Sequence, residues 1–340
     1  MGRKRTRAER RGAVTIYEIA EAAGVHPSTA SRALSPGTND RISAETADRI
    51  KRIASELGYE PHPWARSLRT HRTLTIGVIL PRLTDGVLAR IGEAAEDRAR
   101  DRGYIAVTLS TRDKQENQEA LVNVLLDRRV DGLILATAAR KDPLVDQLAE
   151  RQVPFVLLNR RSGLHPSVAA DDELGGYLAT RHLLGLGHTR IGMIAGPQQF
   201  STGALRLKGY RRAFKEAGVS PERSWIVPSS FSIGGGLDAA ASLLGSASRP
   251  TAIFCINDST AIGVMVAARD LGMTVPDDVA LVGYNDTEVA PMLQPPLSSV
   301  AIPLEEMGRE AVDCLVRQID GGKPESITLP PRLKIRGSSQ

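Results

Sequence analysis

Near the N-terminus, a cluster of small polar side chains followed by an arginine is suited to hydrogen bonding. The cluster follows Gly24 and comprises His26, Ser28, Thr29 and Arg32. Hydroxyl, imidazole and guanidinium groups on one face of a short helix can reach base edges in the major groove of DNA. The pattern therefore favours a helix that reads nucleic acid, with an ordinary helix of a small three-helix unit as the alternative, and the flanking elements must present it.

Local signals predict a first helix before this cluster. Thr15 and Glu18 have the T-x-x-E spacing of a capping box, so the helix is expected to begin at Ile16. Gly24 should end the helix and form the turn. Val25 is expected to be buried in the turn between the first helix and the second.

Two further helices are predicted after the turn. Pro27 suits the first turn of a helix running to Leu34, because its missing N–H costs nothing there. Residues 35–40 read as a loop, Ser43 should cap a third helix, and Gly58 should follow the end of that helix. The inner face of the third helix is predicted to carry Ala47, Ile50, Ile53, Ala54 and Leu57.

Positive charge is concentrated in the first fifth of the chain. The 340 residues carry a formal net charge of +5. Residues 1–73 hold 14 Lys and Arg against 8 Asp and Glu, and the remaining residues are almost neutral. This asymmetry is typical of a small basic module that meets a polyanion and is attached to a near-neutral body. A charged arm that is only solvated is the alternative.

From Leu74 onward, short apolar runs alternate with amphipathic helical stretches. Because the runs are apolar throughout, they predict buried parallel strands. Seven or more strand–helix units exceed one comfortable doubly wound sheet, so the fold class is α/β with two similar lobes. The runs are TIGVIL, YIAVTL, DGLILA, PFVLL, RIGMIAG, TAIFCI and DVALVGY.

Several functional classes find no support in the sequence. No run of about 18 apolar residues predicts a membrane span, and the basic N-terminus lacks an apolar signal core, so a cytoplasmic protein is expected. Cys255 and Cys314 cannot form a disulfide framework or a four-ligand zinc site. No catalytic motif is present, and GLGHTRIG, which lacks a third loop glycine, is predicted to be a helix end and turn. Neither enzyme activity nor a metal or cofactor is expected.

The segment VTIYEIAEAAGVHPSTASRAL, with RISAETADRI, ELGYEP and WARSLR after it, resembles the DNA-binding headpiece of the lactose-repressor (LacI/GalR) family. The resemblance continues in VPFVLLNRR, RLKGYRRAF, PTAIFCINDSTAIGVM and VPDDVALVGYNDTEVAPMLQPPLSSV. It implies a helix-turn-helix headpiece at residues 1–59, a hinge at 60–73 and a two-lobed Rossmann-like core, of the periplasmic-binding-protein type, at 74–340. In this core, lobe one is expected at about 74–171 and 303–329, and lobe two at about 172–302 and 330–338.

The resemblance assigns DNA contacts to the headpiece and hinge. Arg32 matches a position that reads guanine through O6 and N7, and a phosphate contact is the alternative. Pro27 and Ser28 match the two positions that vary with operator sequence, and Pro27 can only pack on a thymine methyl or the backbone. The expected DNA-binding residues are Thr15, Tyr17, His26, Pro27, Ser28, Thr29, Ser31, Arg32, Arg41, Arg66 and Leu68.

Within the hinge, Leu68 matches the leucine that the family uses as a wedge. In that family two hinge helices pair in the minor groove, and their leucines open a base step and bend the DNA. A leucine that only anchors the linker on its own domain is the alternative. Arg41 and the basic N-terminal arm are expected to contact phosphates.

The resemblance also places a small effector between the lobes, where both sheets present the carboxyl ends of their strands. The expected effector-binding residues are Val87, Leu88, Asn159, Arg206, Phe231, Asn257 and Asn285. As alternatives, Asn159 could cap a turn, Phe231 could belong to the core and Arg206 could pair with a neighbouring carboxylate. Asp258 is expected to cap the helix that begins near Ser259.

Two departures from the family pattern bear on the effector. Sugar-binding members often have Asp where this chain has Asn159 and Asn285, and losing both carboxylates beside Arg206 favours tolerance of an anionic ligand. Val87 and Leu88 stand where the purine-binding relative has aromatic residues, which disfavours a stacked purine. A sugar is the default effector, and a sugar acid or sugar phosphate is the variant.

The resulting hypothesis is a ligand-responsive transcriptional regulator, most simply a repressor that binds palindromic double-stranded operator DNA as a homodimer, with no membrane partner. A transport binding protein is one rival, which the basic headpiece argues against. A sugar kinase is another, but no phosphate-cradling glycine loop is evident. The chain ends without a heptad leucine tail, which predicts a dimer rather than a tetramer.

Overall fold

The chain divides into two compact units, with the boundary between Thr73 and Leu74. None of the helices described is long and apolar enough to span a membrane. The computed structural model describes residues 14–34, 42–59, 72–114, 116–246 and 248–340.

In the described part of the first unit there are three short helices, and each begins where the sequence predicted. The Thr15 amide donates to Glu18 Oε2 at 2.7 Å, which closes the capping box. Pro27 is the first residue of the second helix, and Ser43 Oγ accepts the Thr46 N–H at 3.3 Å at the start of the third. The helices are α1 (Ile16–Ala22), α2 (Pro27–Ala33) and α3 (Ala44–Glu56).

The three helices enclose one small apolar core. Three side chains expected inside it lie at its margin: Val25 and Ile53 are half-buried, and Leu57 is 44% exposed. Leu57 turns outward because it is the C-cap of α3, after which the chain leaves the helix through Gly58 at a φ of +66°. The predicted loop at residues 35–40 lies outside the described residues. The buried residues include Ile19, Ala20, Ala30, Ala33, Ala47, Ile50 and Ala54.

The second unit contains two six-stranded sheets, which confirms the predicted α/β lobes. Across the first sheet the order is β11 (Ile327–Leu329), β5 (Ser167–Ala170), β4 (Phe155–Leu158), β3 (Gly132–Leu135), β1 (Thr75–Leu80) and β2 (Ile105–Ser110). Across the second it is β12 (Arg332–Lys334), β10 (Ser298–Ala301), β9 (Ala280–Asn285), β8 (Ala252–Cys255), β6 (Ile191–Ala195) and β7 (Ile226–Pro228).

The two sheets repeat one topology, since corresponding strands occur in the same order. All neighbouring strands are parallel except the β10–β12 pair, which is antiparallel. The chain passes between the sheets three times: after β5, after β10 and between β11 and β12. Each apolar run in the sequence becomes a strand. However, β2 is an edge strand on which Ile105 is 69% exposed, so this run is not buried throughout.

Helices cover both sheets. Those packed with the first sheet are α4 (Gly86–Asp101), α5 (Glu116–Asp127), α6 (Pro143–Glu150) and α11 (Leu304–Ile319). Those packed with the second are α7 (Asp172–Gly185), α8 (Ser201–Glu216), α9 (Ile233–Leu244) and α10 (Asp258–Asp270). The GLGHTRIG segment contains the predicted helix end and turn after α7, and its last two residues begin β6.

Glycines let α7 and α8 approach each other backbone to backbone. A Cβ at Gly209 would lie 2.0 Å from the Glu173 carbonyl oxygen, and one at Gly176 would lie 2.2 Å from the Arg206 carbonyl oxygen. These are backbone atoms, which cannot yield as a flexible side chain would. The close approach brings Asp172 at the start of α7 beside Arg206 on α8.

We expect Gly209→Ala to destabilise the second unit by about 1–3 kcal/mol, as overpacking against backbone does. Alanine is otherwise the better helix former, so a helix-propensity effect would have the opposite sign. Gly185→Ala is the matched control, because a Cβ at Gly185 meets no atom within 4 Å. Thermal melts of the two variants check this prediction, and equal melting temperatures would contradict it.

Candidate functional site

The polar residues predicted to contact DNA lie on accessible faces of α1 and α2. Tyr17 on α1 is 70% exposed, and Thr15 before it is exposed. On α2 and its cap, three of the predicted residues are exposed and three are partly buried. The exposed residues are His26, Ser28 and Arg32, and the partly buried ones are Pro27, Thr29 and Ser31. Arg41, Arg66 and Leu68 lie outside the described residues.

Hydrogen bonds organise the N-terminal end of α2. His26 is the N-cap, and its Nδ1 accepts the Ser28 N–H at 3.3 Å. Arg32 Nε donates to the Ser28 carbonyl oxygen at 3.1 Å, and Nη2 donates to Ser28 Oγ at 3.3 Å. The guanidinium thus extends toward the N-terminal end of the helix, the end that contacts bases in helix-turn-helix proteins.

In the second unit, the seven predicted effector residues line one cavity of about 380 Å³. They come from both lobes and cluster at the carboxyl ends of the parallel strands, where ligands bind in open α/β sheets. The first lobe contributes Val87, Leu88 and Asn159, and the second contributes Arg206, Phe231, Asn257 and Asn285.

Two asparagines occupy the ends of strands in the left-handed backbone region. Asn159 follows β4 with a φ of +63°, and Asn285 ends β9 with a φ of +101°. Asparagine is among the few side chains that adopt such conformations readily. A backbone requirement therefore accounts for residues of the Asn and Asp type here, in addition to any contact with a ligand.

Asn257, and not Asp258, is the N-cap of α10, so the capping role predicted for Asp258 is wrong. Asn257 Oδ1 accepts the Thr260 N–H at 2.9 Å, and Nδ2 donates to the Phe231 carbonyl oxygen at 3.0 Å. Sequence alone could not separate the two, because adjacent Asn and Asp are both good caps. The Asn257 side chain also fixes the Phe231 backbone at the cavity wall.

Asp258 instead lies buried in the first turn of α10. Its carboxylate accepts the Ser299 hydroxyl at 2.5 Å and the Thr287 N–H at 2.7 Å. Burial raises the pKa of Asp258, and these two hydrogen bonds oppose that effect. The side chain therefore ties α10 to β10 and to the segment after β9.

Arg206 is held by a buried ion pair, which was one of the alternatives for this residue. Its Nε donates to Asp172 Oδ1 at 2.8 Å, and its Nη1 donates to the Ile256 carbonyl oxygen at 2.7 Å. The guanidinium carbon lies 3.6 Å from the centre of the Tyr284 ring. The carboxylate of Asp172 therefore balances the charge of Arg206. It is distinct from the two carboxylates that sugar-binding family members often have at the positions of Asn159 and Asn285.

The sequence did not predict several other residues that line the cavity, among them Arg160 and Phe200. The Arg160 guanidinium carbon lies 3.7 Å from the centre of the Phe200 ring, and Nη1 donates to the Thr137 carbonyl oxygen at 3.2 Å. Burial lowers the pKa of Arg160 to about 10. Its position directly after Asn159, at the end of β4, was the available signal.

A helix-turn-helix unit joined to a two-lobed core with a cleft at the carboxyl ends of its strands defines a class of DNA-binding transcriptional regulators. Residues 15–62 match the family model described as bacterial regulatory proteins, lacI family. Residues 180–339 match that of the periplasmic binding protein-like domain. The chain belongs to the lacI family of bacterial regulatory proteins.

Two relatives support this assignment over at least 95% of the chain. The HTH-type transcriptional regulator DegA of Bacillus subtilis (strain 168) is 35% identical over 332 residues, which cover 96% of this chain and 98% of that protein. The HTH-type transcriptional repressor PurR of Escherichia coli O139:H28 (strain E24377A / ETEC) is 33% identical over 330 residues, which cover 95% of this chain and 96% of that protein.

Two solved structures resemble the chain over 96% of its length. A lac repressor dimer bound to operator and the anti-inducer ONPF has a TM-score of 0.84 and 29% identity, and 99% of that chain is covered. A complex of the transcriptional regulator CelR with cellobiose has a TM-score of 0.75 and 33% identity, and 100% of that chain is covered.

Proposed function

We propose that this protein is a transcriptional repressor that binds a palindromic operator as a homodimer, controlled by a small sugar or sugar derivative in the cleft. The observation that carries the proposal is that all seven predicted effector residues line one cavity, in a chain that also presents the exposed polar residues of α2. The solved complexes with operator DNA and with cellobiose support both halves of the proposal.

Exposed apolar side chains in the second unit support the homodimer. Val289 and Met292, close together after β9, are 48% and 79% exposed, and the edge strand β2 exposes Ile105. A partner subunit can cover such residues and pair with an exposed strand edge, which is compatible with a dimer. A two-fold symmetric dimer would also present two copies of α2 to the two halves of a palindrome.

The proposal is tested by selecting binding sites for the full chain from random duplex DNA. A palindromic consensus, bound by two chains per duplex, is the expected result. Titration of sugars, sugar acids and sugar phosphates into that complex should then change operator affinity. A selection that yields no consensus, or one chain per duplex, would contradict the proposal.

Arg32→Ala is expected to weaken operator binding by about 1–3 kcal/mol per half-site and to relax specificity at one base pair of each, because one Arg can discriminate guanine through two hydrogen bonds. Binding to random DNA should change little. Fluorescence anisotropy with operator and scrambled duplexes measures both affinities. If the affinities for the two duplexes fell equally, Arg32 would be a contact to phosphate and not to a base.

A further inference from the structure

Arg160 is a buried cation at the cleft without a carboxylate beside it. The residue is 7% exposed and lines the cavity. Across the part of the chain that the structure describes, no carboxylate oxygen lies within 4 Å of its guanidinium nitrogens. Asp85 is the acidic group that acts on it from farther away, and its Oδ1 already accepts the N–H groups of Val87 and Leu88 at the start of α4.

Burying an unpaired charge is costly, so buried arginines are normally paired. Arg206, the other buried guanidinium of this cleft, follows the rule through Asp172. Arg160 stays protonated near neutral pH, because its pKa of about 10 is well above that range. The positive charge of Arg206 adds to the burial effect in lowering this pKa. An anion in the cavity would supply the missing partner.

The N-terminus of α8 meets the same part of the cavity. Phe200, whose ring stacks on Arg160, is the N-cap residue of α8, and no side chain caps this helix. Thr202 in the first turn lines the cavity. The first turn of a 16-residue helix offers unpaired N–H groups and the positive end of the helix dipole, both of which favour anions.

We propose that Arg160 and the first turn of α8 form an anion subsite, and therefore that the effector carries a carboxylate or phosphate group. This inference rests on the proposed function, because it names the chemical class of ligand for the same cleft. A neutral hydroxyl could accept a hydrogen bond from Arg160 but would leave its charge unbalanced. A carboxylate or phosphate oxygen both accepts the bond and balances the charge.

The test uses the full chain with inorganic phosphate, gluconate, glucose 6-phosphate and neutral glucose, at constant ionic strength. Comparing inorganic phosphate with glucose 6-phosphate shows whether the site binds a free anion or needs the sugar as well. Comparing gluconate with glucose 6-phosphate shows whether the site prefers a carboxylate or a phosphate group. Arg160→Met removes the charge and keeps an unbranched side chain to pack on Phe200. Arg161→Met is the matched control, because Arg161 donates to the Ala170 carbonyl oxygen and Thr328 Oγ1 and does not line the cavity.

At least one anion should raise the melting temperature of the unmodified chain and of Arg161→Met, and glucose should raise it less. In Arg160→Met the affinity for that anion should fall about tenfold or more, since charge-assisted hydrogen bonds are lost. The ligand-free melting temperature of this variant should rise, because an unpaired buried charge is gone. If Arg160 had only a structural role, the Arg160→Met substitution would lower the ligand-free melting temperature instead.

Three results would overturn the subsite: no stabilisation by any of the anions, stabilisation that survives in Arg160→Met, or glucose binding as strongly as its anionic counterparts. The proposed function is judged separately, by operator binding of the same preparations. Specific operator binding without an anion effect would refute the subsite and leave the repressor proposal standing. Loss of the palindromic consensus would refute the repressor proposal whatever the anions do.

Discussion

Arg206→Met is expected to lower the free energy of unfolding of the second unit by about 3–5 kcal/mol, the cost of removing one partner of a buried ion pair. Asp172 is 1% exposed, and Arg206 Nε is its hydrogen-bond donor at 2.8 Å. Without Arg206 the carboxylate would remain buried with only the more distant charge of Arg161 to compensate it. Urea and thermal unfolding at neutral pH measure the loss.

The pH dependence identifies the cause of this loss. Burial raises the pKa of Asp172, and in Arg206→Met the opposing effect of the guanidinium is gone. A carboxyl whose pKa is higher in the folded than in the unfolded protein binds more protons when folded, so stability falls as pH rises. The deficit of Arg206→Met should therefore be smaller near pH 5 than near pH 8.

A second substitution separates charge from packing. Adding Asp172→Asn to Arg206→Met removes the buried carboxylate that has lost its ion-pair partner, and should recover part of the lost stability. If the double variant were no more stable than the single one, lost packing against Tyr284 would explain the effect instead. Because Arg206 also lines the cavity, both variants should bind operator at one fixed affinity, whether or not the effector is present.

The starts of the three helices described in the first unit could be predicted to the residue, because their signals are local. The Thr15–Glu18 capping box, Pro27 at the start of α2 and Ser43 at the start of α3 each act within one helical turn. Leu57 was placed wrongly because periodicity continues to the last helical turn, where the chain is already leaving the core. Helix ends thus follow from neighbouring residues, whereas burial at those ends depends on the path of the chain.

The strands divide by composition. The seven apolar runs were recognisable, even where the strand itself is only four residues long, as in β3, β4 and β8. The unpredicted strands β5, β7, β10, β11 and β12 are three or four residues long and contain Ser, Thr, Pro, Arg or Lys, so no apolar run separates them from a loop. They form strands because a neighbouring strand in the finished sheet supplies hydrogen-bond partners.

The residues of the cleft were predictable as a set, but their partners were not. Residues after parallel strands meet at one edge of their sheet, and both sheets present this edge to the cleft, which brought Asn159 of the first sheet near Asn257 and Asn285 of the second, as expected. The Asp172–Arg206 pair joins residues 34 positions apart, and only the close approach of α7 and α8 brings them into contact. Sequence therefore identified a polar cleft but not which of its arginines already has a counter-ion.

Leu68→Ala is expected to lose operator affinity by about tenfold to a hundredfold and to lose DNA bending together with it. The expectation follows from the family resemblance of WARSLR, in which leucines wedge open a base step at a cost of a few kcal/mol, repaid by contacts to the bent DNA. Without the wedge, the chain should bind straighter DNA through α2 alone. Binding of a small ligand in the cleft should be nearly unchanged.

Leu74→Ala is the matched control for the alternative that Leu68 only anchors the linker. Leu74 packs against the apolar core of the second unit, and its amide donates to Asp131 Oδ2 at 2.8 Å. Truncating this anchor should lower the melting temperature and leave DNA bending intact, because packing is lost and no wedge is touched. Leu68→Ala should do the reverse. A bending assay beside a melting curve on both variants decides between the two roles, and normal bending with a lowered melting temperature in Leu68→Ala would refute the wedge.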